Sequence, residues 1–306
     1  MAARTRTKGK AAKAKAGHEA VLALCETGDQ MVTHNRRHMK IQGFSGSGKS
    51  TFALRYWAHH VKEQGLKPAE ALLCIIDCDS EGQAELVNRD SIIPKALRPR
   101  ILRRICGDPI TVKETYMAYI HAMREHQEKY PDGFRVVVLE NESAFYLGVR
   151  NYYSQEVHGM DEGELLLTRQ QQAKREGKKT LPAFEEGQMH SYKVINRMFT
   201  DPFVHLKMAA ETYDYHFIST TLMRQRAEGF GTTREKTVIE AIGRPDITDP
   251  LFGWIVQLEV KQRTQRGELQ TKYLATIKKA RSCKPFKIEN PTQSRFWKAV
   301  EKQKAV

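Results

Sequence analysis

The segment Gly43-Phe44-Ser45-Gly46-Ser47-Gly48-Lys49-Ser50 has the spacing GxxxxGK[ST]. Each part of that spacing has a task in holding phosphate. Glycines let backbone N–H groups wrap phosphate oxygens, the lysine reaches the β and γ phosphates of a nucleotide, and the hydroxyl after it can ligate Mg²⁺. Gly43, Phe44, Ser45, Gly46, Ser47, Gly48, Lys49, Ser50 and Thr51 are therefore the candidate contacts for ATP, with Lys49 also a catalytic candidate and Ser50 a metal ligand. A site of this kind needs a carboxylate at the end of a neighbouring strand to hold the metal's water shell. Two strand-like runs end in acid: Ala71 to Asp77, with Asp79 just behind it, and Phe134 to Leu139, followed by Glu140 and Glu142. A carboxylate at a strand end can also be merely solvated, and residue type alone does not choose among these four.

The elements that must position these groups alternate. Met39 to Gln42 reads as a short strand running into the Gly-rich loop, and Leu54, Trp57, Ala58 and Val61 recur at helical spacing before Gly65. Ala71 to Asp77 is a continuous apolar run, as expected of a strand covered on both faces. Ile101 to Cys106 is a shorter strand candidate, and Thr111 with Glu114 forms a capping box for a helix carrying Val112, Tyr116, Tyr119, Ile120 and Met123. Phe134 to Leu139 is the strongest strand. From Val149 to Gln188 the pattern gives way to a polar stretch, 150–188 reading as a long insertion. Val194, Ile195, Met198 and Phe199 restore helical spacing, Asp201-Pro202 marks a new helix start, and Tyr215 to Thr221 is the next strand. Met223 to Gly243 reads as a mobile, partly basic loop, and Trp254 to Val260 with Leu269 to Ile277 as a hairpin around Arg266-Gly267. The order predicts an α/β chain with a three-layer, doubly wound, mostly parallel sheet and a C-terminal hairpin at its edge.

Composition bounds the setting. The 306 residues carry a net charge of +14 and include no apolar run near the roughly 18 residues needed to span a bilayer. Residues 1–17 hold Arg4, Arg6, Lys8, Lys10, Lys13 and Lys15 with no acid, and read as a disordered basic tail ahead of a single domain over 18–306. Removing those six charges from +14 leaves about +8 on the rest, so a polyanionic partner is expected beyond the tail. An odd count of five cysteines, three of them in apolar runs, points to a reducing, cytoplasmic compartment, and no Cys or His spacing marks a structural metal.

In this order the parts resemble the RecA-like P-loop ATPases, including the small recombinase-like ATPases of phages and archaea, over roughly Met39 to Arg281. The resemblance implies several roles. The strand after the loop helix supplies the carboxylate that activates the attacking water, here Asp79 or Glu81, with Glu142 also open. The Walker B run falls on Val136-Val137-Val138-Leu139-Glu140, with Glu140 in place of the usual Asp and one methylene longer as a metal ligand. Thr220 or Thr221 takes the place of the γ-phosphate sensor, and Met223 to Gly243 that of a DNA-binding loop, with Arg224, Arg226 and Arg234 as phosphate contacts and Phe230 as a stacking ring. Lys278, Lys279 and Arg281 stand where the family reaches a neighbouring subunit's nucleotide.

The expectation that follows is Mg²⁺-dependent ATP hydrolysis coupled to DNA, single-stranded by preference, in recombination, annealing or replication. It is an expectation for a homo-oligomer with ATP between subunits, in the cytoplasm of a prokaryotic or virus-infected cell, and away from membranes. A genome-packaging or translocating motor, a small-molecule kinase and a non-hydrolysing nucleotide-binding module are the alternatives.

Overall fold

The computed structural model describes residues 38–79, 83–179, 189–228, 236–265, 268–280 and 285–304. The basic tail, Glu81, Phe230, Arg234 and Arg281 lie outside the described residues, as does the 180–188 part of the polar stretch. In chain order the elements are β1 (His38–Gly43), α1 (Lys49–Glu63), β2 (Ala71–Asp77), α2 (Gln83–Asn88), β3 (Ile101–Ile105), α3 (Pro109–Lys129) and β4 (Phe134–Glu140). Next come α4 (Glu142–His158), α5 (Glu162–Arg175), α6 (Met189–Thr212), β5 (His216–Glu228), β6 (Lys236–Ala241) and α7 (Pro245–Thr248). The chain ends on β7 (Trp254–Gln265), β8 (Glu268–Ala280), β9 (Lys287–Glu289) and α8 (Gln293–Lys304).

The protein is α/β, with nine strands among the described residues in one mixed, mostly parallel sheet of order β3-β2-β4-β5-β1-β7-β8-β9, and β6 paired to β5 off that path. Strands β1 to β5 and β7 run parallel, whereas β7-β8-β9 and β5-β6 are antiparallel. Side chains of a strand alternate between faces, so the fully buried β2 serves two cores. Leu73 and Ile75 join one core with Phe52, Leu54 and Trp57 of α1 and Phe296 of α8. Leu72, Cys74 and Ile76 join the other with Val112 and Tyr116 of α3, Phe145 of α4 and Phe199 and Phe203 of α6. The uninterrupted apolar run follows from this double cover.

Four expectations need correction. The α3 capping box is built by Asp108, whose carboxylate accepts from the backbone N–H of Ile110 and Thr111, and not by Thr111 with Glu114. Pro109 sits in the first turn, where a missing N–H costs no helix bond. The polar stretch is not a long loop up to residue 179, because α4 and α5 occupy most of it. Helix α5 buries only Leu165 and Ala173 and leaves Leu166 and Leu167 exposed, yet still forms a helix, started by Asp161 and Glu164 capping one another's backbone. Asp201-Pro202 does not start a new helix; α6 runs through it. An interior proline costs about 3 kcal/mol, and the fully buried stripe Ile195, Phe199, Phe203, Leu206 and Ala210 offsets that cost.

The fourth correction concerns Met223 to Gly243. Instead of a loop, β5 continues to Glu228 and pairs antiparallel with β6 from Met223↔Ala241 to Glu228↔Lys236. This makes a two-stranded ribbon that leaves the main sheet beyond Leu222. The β-branched run Thr237-Val238-Ile239 carried a strand signal that the flanking polar residues obscured. The C-terminal hairpin is present but longer than its apolar cores, and the short β9 forms the sheet edge beyond it.

Candidate functional site

The Gly-rich segment closes as a tight loop between β1 and α1. A Cβ on Gly43 would come within 2.3 Å of Ser47 Oγ and 2.6 Å of the Leu258 carbonyl, so only glycine fits where β1 ends against β7. Gly46 at φ 72° and Gly48 at φ 86° are left-handed, a conformation that costs glycine little and turns successive N–H groups to one side. Gly48 caps α1 without any side-chain hydrogen bond, and the first turn carries no acid. The N–H groups and positive end of a 15-residue helix therefore face the loop with no acid of the helix's own first turn to neutralise them.

Side chains complete the cradle. Lys49 is buried, and its Nζ donates to the Phe44 carbonyl at 2.9 Å, across the mouth of the loop. Burial lowers its pKa, against the opposing pull of Glu140 and Asp79. Ser50 Oγ donates to Glu140 Oε1 at 2.5 Å, which joins the loop to the end of β4. Glu140 Oε2 has no hydrogen-bond partner among the described residues. Burial pushes the Glu140 carboxyl up to about 7, with the hydroxyls of Ser50 and Thr220 and the Lys49 ammonium pulling the other way. Strand β5 lies between β1 and β4, with Thr220 beside Ile41 in register, so Thr220 stands between loop and carboxylate. Its Oγ1 is buried and completes no normal hydrogen bond among the described residues.

Hydrogen-bond partners separate the other candidates. Asp77 is fully buried and its Oδ2 accepts from Arg103 Nε at 2.7 Å and from Arg103 Nη2. Asp79 is exposed, its backbone N–H donates to Asp77 Oδ1 at 3.2 Å, and its Oδ2 accepts from Asn141 Nδ2 at 2.5 Å. Asn141 also caps α4 by accepting from Ala144 N, so a helix start holds Asp79 in place. Glu142 does not face the loop. It accepts from Lys40 Nζ at 2.8 Å, from Thr248 Oγ1 at 2.6 Å and from Thr221 Oγ1 at 2.9 Å. Glu142 and Thr221 therefore belong to a closed buried cluster apart from the Ser50–Glu140 contact.

A cavity of about 500 Å³ opens beside the loop, lined by Gly46, Gly48 and Thr51 and walled by Arg55, Arg89 and Tyr273 among others. Its volume lies in the range of small-molecule sites. Among the described residues no cluster of three or more His, Cys, Asp and Glu could hold a metal. A cation bound through one protein carboxylate, a hydroxyl and phosphate oxygens needs no such cluster.

Further afield, the Arg224 guanidinium pairs with Glu240 across the ribbon at 2.7 Å, and the Arg226 side chain lies outside the described residues. Lys278 is exposed, whereas Lys279 Nζ donates to the Asp249 carbonyl at 2.9 Å. Sequence reasoning missed Lys40, Arg103 and Asn141, and with them the cavity, whose walls come from separate segments. Only Asn141 carried a local signal, as a capping type just before a helix. Compared with known proteins, the chain matches no family model and no curated sequence.

Proposed function

We propose that this protein is a RecA-like P-loop ATPase that binds ATP with Mg²⁺ on residues 43–51 and couples its hydrolysis to DNA. The observation that carries this reading is the 2.5 Å contact of Ser50 with Glu140, beside a loop whose lysine donates to a backbone carbonyl and whose helix has no side-chain cap. A buried carboxylate with one orphan oxygen and a pKa near 7 is costly, and a bound dication would supply its missing partner. The protein residues present therefore fit Mg²⁺.

Mg²⁺, when bound with ATP, would neutralise charge on the β and γ phosphates. The chain's own groups then have distinct tasks. The N–H groups of Gly46 to Ser50 and the end of α1 hold the phosphates, and Lys49 trades the Phe44 carbonyl for phosphate oxygen and stabilises the charge that grows there. Ser50 and Glu140 would hold the cation. Thr220, between them, offers a hydroxyl to the transferred group, and Asp79, steered by Asn141, is the described carboxylate suited to orient water. The cavity beside the loop has room for the nucleoside.

The ribbon of β5 and β6, with Arg224 and Arg226, is the proposed DNA contact together with the basic tail, and Lys278 is the exposed cation proposed to reach a neighbouring subunit in a homo-oligomer. A nucleotide-binding module without hydrolysis is the second reading, favoured by the engagement of Asp77 with Arg103 and of Asp79 with Asn141. Phosphate release by the purified full chain, with and without single-stranded DNA, separates the two. Turnover that DNA raises and Lys49→Ala abolishes supports the ATPase; tight ATP binding with no turnover supports the module; no ATP binding overturns both.

A further inference from the structure

Four consecutive buried residues follow the end of β4: Glu140, Asn141, Glu142 and Ser143 are all less than 5% exposed. Each reaches a different part of the molecule. Glu140 accepts from Ser50 of the loop, Asn141 donates to Asp79, and Glu142 takes the buried ammonium of Lys40. Ser143 joins both strands of the ribbon at its root. Its Oγ donates to the Ile242 carbonyl at 2.8 Å and accepts from Leu222 N at 3.0 Å, while Ile242 N donates to the Leu222 carbonyl at 2.8 Å. Gly243 then lies beside the Glu142 side chain, where a Cβ would make an ordinary contact with Glu142 Oε1 at 3.7 Å.

From this juxtaposition we infer that residues 140–143 are the coupling element between the phosphate loop and the β5–β6 ribbon, and that Ser143 is a positioning residue for it. The inference rests on the proposed nucleotide and DNA binding. Between Glu140 and Ser143 there is no slack, because all four side chains are held in packed, hydrogen-bonded positions. A shift of Glu140 on cation binding would pass along three peptide units to the hydroxyl that fixes the spacing of Leu222 and Ile242. In the reverse direction, a ligand that changes the twist of the ribbon pulls on Ser143 and so on Glu140. Coupling of two binding equilibria must be reciprocal.

The test measures the affinity of the full chain for Mg-ADP with and without a saturating single-stranded oligonucleotide, and of the oligonucleotide with and without Mg-ADP. In the wild type the two ratios should be equal and on the order of 5- to 150-fold. In Ser143→Ala they should fall towards one while each affinity measured alone stays within about twofold, and Ser143→Thr, which keeps the hydroxyl, should retain more of the coupling than Ser143→Ala. A merely structural role would shift the separate affinities and leave the ratio. Hydrogen exchange at Leu222 and Ile242 gives a second reading: Mg-ADP should change it in the wild type and not in Ser143→Ala. Undiminished coupling in Ser143→Ala, or a wild type that binds both ligands independently, overturns the inference and leaves the proposed function standing. A wild type that binds no nucleotide overturns both.

Discussion

Two lysine–glutamate sets lie at the carboxyl ends of the same central strands, on opposite faces of the sheet, and they are finished differently. Lys40 and Glu142 form an ion pair at 2.8 Å with neither side chain exposed, and Thr221, Thr248 and Asp249 supply further hydrogen bonds. Lys49 and Glu140 are also buried, yet Lys49 donates to a backbone carbonyl, and one oxygen of Glu140 and the Thr220 hydroxyl complete no normal hydrogen bond among the described residues. Native interiors rarely leave polar groups in this state. The closed set is what a buried pair needs to be tolerable, and the open set is what a binding site needs to be useful: groups desolvated in advance and aimed at a ligand that completes them.

Removing the lysine from each set should therefore separate stability from activity. Lys40→Met leaves Glu142 buried without its counter-charge and should destabilise the fold by about 3–5 kcal/mol, read by urea unfolding. A loss below 1 kcal/mol would show that the cluster is not the closed ion pair described. Lys49→Ala, by contrast, should leave the unfolding curve nearly unchanged and lower ATP turnover by roughly two to three orders of magnitude. Were the stability effect of Lys49→Ala the larger of the two, the contrast between the faces would be wrong.

The pH dependence of stability sharpens the same point. The folded-state pKa of Glu140, about 7, lies above the ordinary value of 4.5. Below pH 4.5 both states hold the proton and no penalty arises; between 4.5 and 7 the unfolded chain releases it while the folded chain keeps it, so stability falls as pH rises. Above 7 the loss is complete. It amounts to roughly 3 kcal/mol at most, at 1.36 kcal/mol per unit. Glu140→Gln should remove this slope, gaining on the wild type between pH 5 and pH 8 in protein without nucleotide or Mg²⁺. Parallel stability curves for the two proteins would mean that Glu140 is not held in the desolvated state described.

The smallest effect is expected at the ribbon, where Arg224 pairs with Glu240 in the open. Exposed pairs of this kind contribute about 0.2–1 kcal/mol, so Arg224→Ala should barely move the unfolding midpoint. If the ribbon meets DNA, the same substitution should reduce the salt dependence of single-strand binding by about 0.7 in the log–log slope. An unchanged slope would remove Arg224 from the DNA surface.

By itself the sequence determined the Gly-rich loop and the buried strands. The loop is a local device: glycine spacing, a lysine and a hydroxyl act within a few residues of each other, and the apolar runs Ala71 to Asp77 and Phe134 to Leu139 need no knowledge of their neighbours to read as strands. Only the tertiary structure decided which acid faces the loop. Glu140 and Glu142 are two residues apart and of one type, and what separates them is that one meets Ser50, 90 positions away in the chain, and the other meets Lys40, 102 positions away. The same holds for the ribbon, whose strand at Lys236 to Ala241 is stabilised by its pairing with β5, and for α5, which buries two residues and so shows almost no apolar stripe. Local propensity reports what a segment tolerates; long-range pairing and burial select among the states it tolerates, and those partners are not written next to it.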